Sequence, residues 1–440
     1  MLNAGEDTVN TASSLVKLSN LTKEFFMSSS YLFTSESVTE GHPDKTADII
    51  SDTILDVVLK RDPDAKVAVE TLLGHDLIVI AGEITTTHDH HNYDLIAREA
   101  VTKIGFNNIE LGLDGRTANV LVNLTKQSPE ISKGVFNALE GRTKAGSVDE
   151  RDEISRLGAG DQGILFGYAN SDNDSYFPAA GKLAHMLSAK LTSVRREKAI
   201  TDNVLRPDGK TQVTLRYEDG QPIAIDTVLI STQHSPSTNL LSLQEYVREE
   251  IILPVIADYN ENHAYGRELD DLKRYLINPA GEWNVGSSAS DSGLTGRKII
   301  VDSYCGYARH GGGCYSGKEV TKTDRSGAYA LRWIAKNIVA AGAAEELELQ
   351  VSYAIGSAEP VSFFVDTKGK PSVGSNEIEG VIRELFDLRP GAIIRDLKLK
   401  SGNISFAETA KNGHFGRNPS DMFTWERLDK VQEIKSLLGL

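Results

Sequence analysis

The chain has 440 residues, of which 40% are hydrophobic and 25% charged, and its formal net charge is −15. A chain of this length buries several cores, so roughly two to four domains are expected. Its acidity argues against an extended nucleic-acid surface, which would have to attract backbone phosphates, so any anionic ligand requires a local cationic pocket. The sequence contains no run of about eighteen apolar residues, and it therefore predicts no membrane span.

The chain contains two cysteines, Cys305 and Cys314. They provide neither a disulfide framework nor a metal-binding CxxC pattern, and such usage suits a reducing compartment. The sequence therefore predicts a cytoplasmic protein. Residues 1–30 are rich in Ser, Thr and Asn and match neither a secretory signal nor a transit peptide, so we expect a disordered tail.

The predicted elements begin with a short strand at residues 31–36, followed by a turn and a helix that starts at Pro43. Two β-like runs follow at residues 66–73 and 77–85, joined by a Gly-His-Asp turn that is typical of a hairpin. A second helix is predicted at residues 93–104. The order strand, helix, hairpin, helix, strand indicates an α+β unit with its helices on one face of a sheet.

A similar pattern recurs twice, although residue identity between the units is too weak to prove a repeat. The predicted elements of the second occurrence are a helix at 182–196, strands at 212–217 and 223–232, and a helix at 243–253. Those of the third are a strand at 299–301, a helix at 328–341, strands at 346–355 and 361–366, and a helix at 377–386. The predicted units are residues 31–128, 158–284 and 285–440.

Between the first two units lies a charged segment, residues 129–157, with three glycines and an acidic cluster at 149–153. It is long for a connector inside a compact domain, and loops of this kind are usually lids or disordered linkers. Composition alone leaves both possibilities open.

The most informative segment is residues 311–326, where a glycine-rich turn precedes Lys318, Lys322 and Asp324. Glycines let backbone N–H groups approach phosphate oxygens, lysines add positive charge, and an aspartate can hold a hard divalent cation. The segment nearly matches a Walker A loop, but Glu319 stands where Ser or Thr would bind magnesium. A P-loop-like ATPase is therefore disfavoured, and we expect the anion to be held in another way.

Other candidates are less specific. His42 and Asp44 lie together at a predicted helix start, where helix capping alone would explain them. Glu70 and Glu83 lie among apolar residues of the predicted hairpin, where a buried carboxylate needs a cation or a hydrogen-bond donor. An ion or ligand site is one explanation for their position, and chance is the other. The turn at residues 158–163 holds three glycines before an apolar run, and residues 87–91 lack the fourth ligand that zinc requires.

Three of these segments together resemble the S-adenosylmethionine synthetase (methionine adenosyltransferase) family: residues 35–45, 158–163 and 311–326. The resemblance extends from Tyr31 to Trp425. It implies three similar α+β units with pseudo-threefold symmetry, paired into homodimers or homotetramers with active sites at the dimer interface. It also implies that residues 129–157 form a mobile gating loop.

The resemblance implies synthesis of S-adenosyl-L-methionine from ATP and L-methionine. Methionine sulfur would attack C5′ of ATP in line and expel tripolyphosphate, which the same site would hydrolyse to phosphate and pyrophosphate. This chemistry requires alignment and charge stabilisation rather than a nucleophilic side chain. The implied cofactors are a pair of Mg²⁺ ions at each site and K⁺.

Site roles are also implied by the resemblance. The catalytic residues would be His42, which would act at the leaving-group oxygen, with Arg297, Lys318 and Asp324. ATP would be bound by His42, Asp208, Gly209, Lys210, Glu282, Trp283, Asp291, Arg297, Lys298, Cys314 and Lys318, with Trp283 stacked on adenine. Methionine would be bound by Glu83, Gln127, Asp291 and Lys322. Asp44 and Asp324 would hold magnesium, and Glu70 would hold potassium.

The chain departs from the family pattern before Asp291, where Gly286, Ser287 and Ser288 replace a common Gly-Gly-Pro. Serine does not easily adopt positive φ, so we expect a differently shaped or looser turn and altered ATP affinity. Glu282 adds a negative charge near the expected nucleotide. A synthetase-like regulatory or binding subunit is therefore an alternative, although retention of every charged candidate argues against it.

Overall fold

The computed structural model describes residues 29–88, 91–128, 134–140, 153–199, 201–269, 272–369 and 371–440. All but residues 29 and 30 of the predicted tail, and most of the predicted gating loop, lie outside these ranges. Within them the chain has an α+β fold, as the sequence predicted.

The described strands are β1 (Ser30–Val38), β2 (Lys66–Gly74), β3 (Leu77–Thr85), β4 (Asn107–Asn108), β5 (Leu113–Asp114), β6 (Asn119–Thr125), β7 (Gly163–Asn170), β8 (Leu205–Glu218), β9 (Gln221–His234), β10 (Arg274–Ile277), β11 (Gly293–Leu294), β12 (Glu346–Tyr353) and β13 (Ser362–Asp366). The described α-helices are α1 (Pro43–Arg61), α2 (Tyr93–Ile104), α3 (Glu153–Arg156), α4 (Ala179–Lys198), α5 (Leu240–Val247), α6 (Leu253–Asn262), α7 (Ile299–Asp302), α8 (Thr323–Ala340), α9 (Ser375–Leu385), α10 (Pro390–Asp396), α11 (Phe406–Thr409) and α12 (Val431–Leu438).

Most predicted elements are present, and α2 has the predicted bounds. The strand predicted at residues 299–301 is wrong, because these residues form the helical turn α7 and the strand is β11, just upstream. A short apolar run is compatible with either structure, so periodicity could not decide between them.

Each of three sheets is built on a hairpin and receives a strand from another unit. The sheet orders are β11-β2-β3-β6, β1-β8-β9-β10 and β13-β12-β7. The received strand pairs antiparallel with the first hairpin strand in every case: β11 with β2, β1 with β8, and β7 with β12. The N-terminal unit thus donates β1 to the central sheet, the central unit donates β7 to the C-terminal sheet, and the C-terminal unit donates β11 to the N-terminal sheet. The exchange is cyclic.

The helices cover one face of these sheets. Helix α1 packs on β2, α4 packs on β8 and β1, and α8 packs on β7 and β12. Side chains alternate between the faces, so that in β2 Val67 and Val69 are buried while Glu70 and Leu72 are exposed. The opposite face of the sheets displays apolar side chains, since Leu72, Leu121 and Phe364 are 41%, 57% and 50% exposed.

Residues 134–140, a described part of the predicted gating loop, dock on the C-terminal unit. The Leu139 N–H donates to the Gly356 carbonyl at 2.9 Å, and the Glu140 carboxylate accepts the Ala358 N–H at 2.9 Å. Residues 129–133 and 141–152 lie outside the described residues, so the gating role stays a prediction. In the described ranges, the helices are too short or too polar for one to cross a membrane.

Candidate active site

The first part of the candidate site is the N-terminus of α1. His42 is the N-cap, and its Nδ1 accepts the Asp44 N–H at 3.2 Å. Because Nδ1 is an acceptor, the ring proton lies on Nε2, which is a donor. Burial, together with the nearby Lys298 and Lys210, lowers the pKa of His42 to about 3, so the imidazole is neutral at pH 7. His42 therefore caps the helix as predicted, and the capping hydrogen bond orients its ring so that Nε2–H is a neutral donor.

Asp44 lies among cations in the first turn of α1. Its Oδ2 is 2.5 Å from Nζ of Lys298, and its Oδ1 is 3.7 Å from Nη1 of Arg297. Oδ1 also accepts the Leu294 N–H at 2.9 Å. Burial opposes ionisation, but the hydrogen bonds from Lys298 and Leu294 outweigh it and hold the pKa of Asp44 below its usual value. Three predicted residues thus meet at one point.

Residues 293–298 connect α1 to the glycine-rich segment. Gly293 allows close contact with α1, since a Cβ there would lie 2.3 Å from the Pro43 carbonyl oxygen. The Gly296 N–H donates to Oδ1 of Asp48 at 2.9 Å. A Cβ on Gly296 would also lie 2.7 Å from Cβ of Cys314. Glycine at these positions therefore lets the two backbones approach.

Lys318 and Asp324 form the second part of the site. Nζ of Lys318 is 2.5 Å from Oδ2 of Asp324. Although burial disfavours the ammonium, its acidic neighbours raise the pKa of Lys318. Oδ1 of Asp324 faces Gly313, where a Cβ would lie only 2.3 Å away. The carboxylate is thus lined by backbone that carries no side chain.

Glu319 does not face this space. It is buried, and its carboxylate accepts the N–H of Thr321 at 2.8 Å and the Thr321 hydroxyl at 2.6 Å. Nζ of Lys322 lies 3.6 Å from Oε1 of Glu319. Glu319, which departs from the Walker pattern, therefore stabilises its own loop through hydrogen bonds to Thr321.

The turn at residues 158–163 packs against this segment. A Cβ on Gly160 would lie 3.1 Å from the Thr321 carbonyl oxygen and 3.4 Å from Cδ of Lys322. A Cβ on Gly163 would lie 3.6 Å from Oδ1 of Asp324. Two motifs that are far apart in the sequence thus come together.

Asp208 forms the third part, at the start of β8. It is buried, its Oδ2 accepts the Ser287 N–H at 2.7 Å, and its Oδ1 has no hydrogen-bond partner among the described residues. Burial raises the pKa of Asp208 to about 7. A buried acceptor without a donor is costly, so Oδ1 is suited to a ligand donor. Lys210, two residues on, is exposed.

The expectation that Ser287 would avoid positive φ is wrong. Its φ is 52°, in the left-handed region. The Ser290 and Asp291 N–H groups both donate to the Ser287 carbonyl, at 3.0 and 3.1 Å, and the Ser287 N–H is bound to Asp208. These hydrogen bonds stabilise a conformation that serine alone disfavours.

Trp283 and Asp291 flank the Ser287 turn. The Trp283 N–H donates to Nε2 of His234 at 3.0 Å, and its ring Nε1–H donates to the Val285 carbonyl at 2.7 Å. Asp291 and Glu282 are exposed. His234 was not a sequence candidate, because a single histidine at a strand end carries no motif.

Glu70 and Glu83 are not buried carboxylates, so that part of the sequence argument is wrong. Glu70 is exposed and Glu83 half-buried, because both lie on the open face of the N-terminal sheet. Glu83 pairs with Ala68, which in turn forms a bridge with Lys318. Paired residues share a face, so the small Ala68 separates Glu83 from Lys318.

Gln127, a predicted methionine ligand, follows β6 beside the end of β3. Its N–H donates to the Thr85 hydroxyl at 3.0 Å. Because β6 runs parallel to β3, with Thr125 opposite Glu83, both predicted ligands lie at one end of the sheet.

Three protein-family models match consecutive parts of the chain: the N-terminal domain of S-adenosylmethionine synthetase at residues 30–129, its central domain at 156–283 and its C-terminal domain at 285–427. The chain belongs to the S-adenosylmethionine synthetase family. Membership confirms the resemblance inferred from the sequence motifs and the three-unit α+β fold. The roles of individual residues remain predictions.

Curated relatives in the S-adenosylmethionine synthetase family match over nearly their whole length. The chain is 49% identical over 409 residues to the S-adenosylmethionine synthase of Corynebacterium urealyticum, covering 93% of this chain and 98% of that protein. It is 48% identical over 407 residues to that of Clostridium botulinum, covering 92% and 99%. It is 47% identical over 415 residues to that of Petrotoga mobilis, covering 93% and 99%.

Proposed function

We propose that the chain synthesises S-adenosyl-L-methionine from ATP and L-methionine and then hydrolyses the tripolyphosphate to pyrophosphate and phosphate. The observation that carries the proposal is the convergence of His42, Asp44 and Lys298 with Lys318 and Asp324, joined by residues 293–298. The full-length similarity to S-adenosylmethionine synthases supports the same activity.

In the proposed reaction the methionine sulfur forms a bond to C5′ while the bond from C5′ to the phosphate-bearing oxygen breaks. The bonding electrons leave with the tripolyphosphate. His42 would donate a hydrogen bond from its Nε2–H to that oxygen. Its low pKa keeps the imidazole neutral throughout. Arg297, Lys298 and Lys318 would stabilise the charge that develops on the leaving group.

Magnesium fits the acidic residues of the site. The described residues contain no group of three or more His, Cys, Asp or Glu side chains that could hold a metal ion. Magnesium bound to polyphosphates commonly uses one or two carboxylates and completes its shell with phosphate oxygens and water. Asp44 and Asp324 each offer one carboxylate for this purpose, and the hydrogen bonds from Lys298 and Leu294 keep that of Asp44 ionised. Bound magnesium would neutralise phosphate charge.

The substrates are assigned to the remaining residues. Trp283 would stack on adenine, and Oδ1 of Asp208 would accept a nucleoside donor. The other proposed ATP ligands are Gly209, Lys210, Glu282, Asp291 and Cys314. Glu83, Gln127, Lys322 and Asp291 would hold methionine, since Glu83 and Lys318 lie on either side of Ala68 on one face.

We also propose a homodimer or homotetramer with the site at the dimer interface. Leu72 and Leu121 present apolar surface on the face that carries Glu70 and Glu83. Such exposed apolar surface is typical of protein interfaces. Glu70 is the proposed potassium ligand, and on this face oxygen atoms of a partner subunit could complete its coordination. The proposed location is cytoplasmic, supported by the unpaired Cys305 and Cys314.

The test is to incubate the purified protein with ATP, methionine, Mg²⁺ and K⁺. Mass spectrometry should detect the sulfonium product, with phosphate and pyrophosphate released in equal amounts and only when methionine is present. Release of ADP would contradict the proposal. Binding of ATP without any product would favour the regulatory-subunit alternative.

A further inference from the structure

Asp52 of α1 and Arg325 of α8 form a fully buried ion pair behind the candidate site. Nη1 of Arg325 donates to Oδ1 of Asp52 at 2.7 Å, and Nη2 donates to Oδ2 at 2.9 Å. Both side chains have 0% exposure. Arg325 also donates to the Thr409 hydroxyl at 2.9 Å and the Tyr329 hydroxyl at 3.1 Å, and its guanidinium lies 4.4 Å from the centre of the Phe406 ring.

The pair also holds the backbone on both sides of the Lys318 side chain. Oδ1 of Asp52 accepts the Gly317 N–H at 2.8 Å, and Nη1 of Arg325 donates to the Lys318 carbonyl at 3.2 Å. On the other side, the segment is hydrogen-bonded to β2 through Gly317 and Glu319. These hydrogen bonds constrain the backbone on both sides of Lys318 and therefore the direction of its Cα–Cβ bond.

The same pair connects two helix starts. Asp52 lies in α1, which begins beside His42 and Asp44, and Arg325 follows Asp324 in the first turn of α8. A shift of either helix would separate the His42 and Asp44 group from the Lys318 and Asp324 group. Buried, doubly hydrogen-bonded charges resist such a shift, because breaking the pair leaves an uncompensated charge.

We infer that Asp52 and Arg325 are positioning residues, which set the distance between the two halves of the site that holds the triphosphate. This inference rests on the proposed function. Neither residue touches the reacting atoms; they act through Lys318 and Asp324. Enzymes are sensitive to such geometry, since a misplacement of about 1 Å can reduce the rate about a hundredfold.

The test compares Arg325→Lys with Arg332→Lys. Arg332 is also on α8, is also fully buried, and binds Glu426 through two nitrogens at 3.0 and 3.2 Å. Its hydrogen-bond partners in the described ranges, Glu426 and three backbone carbonyls, include no candidate site residue. Each substitution keeps the charge and removes the planar fork. Thermal unfolding, kcat, the KM for methionine and binding of inorganic tripolyphosphate with Mg²⁺ by calorimetry are measured for both.

We expect similar losses of Tm, but only Arg325→Lys should lower kcat by about a hundredfold and weaken tripolyphosphate binding, with the KM for methionine nearly unchanged. Equal kinetic losses in the two variants would show that the pair is merely structural. Should Arg325→Lys fail to fold, Asp52→Glu gives the same readouts, because it keeps both charges of the pair while its longer side chain displaces the carboxylate from Gly317 and Arg325.

Different results would contradict the positioning role and the proposed function. A wild-type protein that binds tripolyphosphate but forms no S-adenosylmethionine would contradict the proposed function, and selective weakening of that binding in Arg325→Lys would still support the positioning role. A wild-type protein that does not bind tripolyphosphate would overturn the positioning role, since there would be no such site to set.

Discussion

Two buried histidines near the site, His185 and His414, are neutral, and their rings serve as hydrogen-bond partners. Burial lowers the pKa of His185 to about 3 and that of His414 well below its usual value. Nδ1 of His414 is 2.7 Å from the Tyr329 hydroxyl, which accepts from Arg325. Nδ1 of His185 is 2.9 Å from the Ser37 hydroxyl. Acidic pH should therefore destabilise the folded protein, because these buried imidazoles resist protonation only in the folded state.

The first prediction is that the stability difference between wild type and His185→Gln narrows as pH falls from 7 to 4. In the unfolded chain the imidazole binds a proton below about pH 6.5, whereas in the folded chain it does so only near pH 3. Wild-type stability should thus fall with pH in this window by up to about 1.4 kcal/mol per unit from this group. The His185→Gln variant lacks this pH-dependent loss of stability, because glutamine does not bind a proton in this range.

Urea unfolding at several pH values measures the two free energies. At pH 7 we expect the variant to be less stable, because it loses contacts with Ser37 and Cys305. A difference that stays constant down to pH 4 would show that the folded protein accommodates the charged imidazole.

The second prediction concerns Ser287, whose φ of 52° is in the left-handed region. Ser287→Gly should stabilise the protein by about 0.5–1 kcal/mol, because glycine adopts this conformation without a steric cost. The buried Ser287 hydroxyl has no partner among the described residues, so its removal costs no hydrogen bond there.

The KM of Ser287→Gly for ATP should differ from that of wild type by less than about threefold. Glycine keeps the same backbone conformation, so the turn binds the ground state and the transition state as before. This replaces the expectation from sequence that the natural turn is misshapen. Thermal unfolding and steady-state kinetics test it together. A destabilised Ser287→Gly variant would show that the hydroxyl makes a contact that the described residues lack.

At the scale of elements, the glycine-rich segment is hydrogen-bonded to the edge of β2. It bridges Ala68 through Lys318, in line with β11 along the edge of β2. Gly317 permits this, because it has a φ of 79° and a Cβ there would lie 1.9 Å from the Val69 carbonyl oxygen. The phosphate-binding candidates are thus set by sheet geometry rather than by a flexible loop.

The third prediction is that Gly317→Ala abolishes synthesis, whereas Gly342→Ala retains it. Gly342 has a similar φ of 83°, but a Cβ there would meet no atom within 4 Å. Both variants carry the cost of a left-handed alanine, about 1 kcal/mol. Only Gly317→Ala must displace the segment from β2.

Product formation and Tm are measured for both glycine variants. Activity of Gly317→Ala close to that of Gly342→Ala would mean that the segment does not need its contact with β2.

Sequence patterns predicted elements whose signals are local. The bounds of α2 follow from apolar spacing between Asn92 and Gly105, and the hairpin of β2 and β3 follows from alternation around its turn. The faces of Glu70 and Glu83 could not be assigned, because alternation shows two faces but not which one a helix will cover. Asp52 and Arg325 gave no signal, since each resembles a solvated helix charge until the two helices are packed together.

At the scale of the whole molecule, cyclic strand exchange joins the three units. Each of the three larger sheets contains one strand that is donated by another unit. One apolar core also extends from Ile50 and Val69 in the N-terminal unit to Ile334 and Leu349 in the C-terminal unit. The division into residues 31–128, 158–284 and 285–440 therefore describes sequence segments better than separable bodies.

The fourth prediction is that the units unfold in a single cooperative transition. Fluorescence and far-UV circular dichroism should give the same urea midpoint and slope. A fragment of residues 158–284 alone should fail to fold, because it lacks β1, whose whole length pairs with β8. Two separated transitions, or a stably folded fragment, would show that the donated strands contribute little.

The exchange also has a consequence for the nascent chain. The hairpin of β2 and β3 leaves the ribosome early, but its edge is completed by Leu294 and Lys318, which are translated much later. The edge of β2 therefore stays unpaired until those residues have been synthesised. Chaperones are the usual protection for such an edge during synthesis. A premature stop codon upstream of Gly293 would leave the first sheet unfinished as well, because both segments that complete its edge would be missing. The completed N-terminal sheet therefore requires translation of the C-terminal unit.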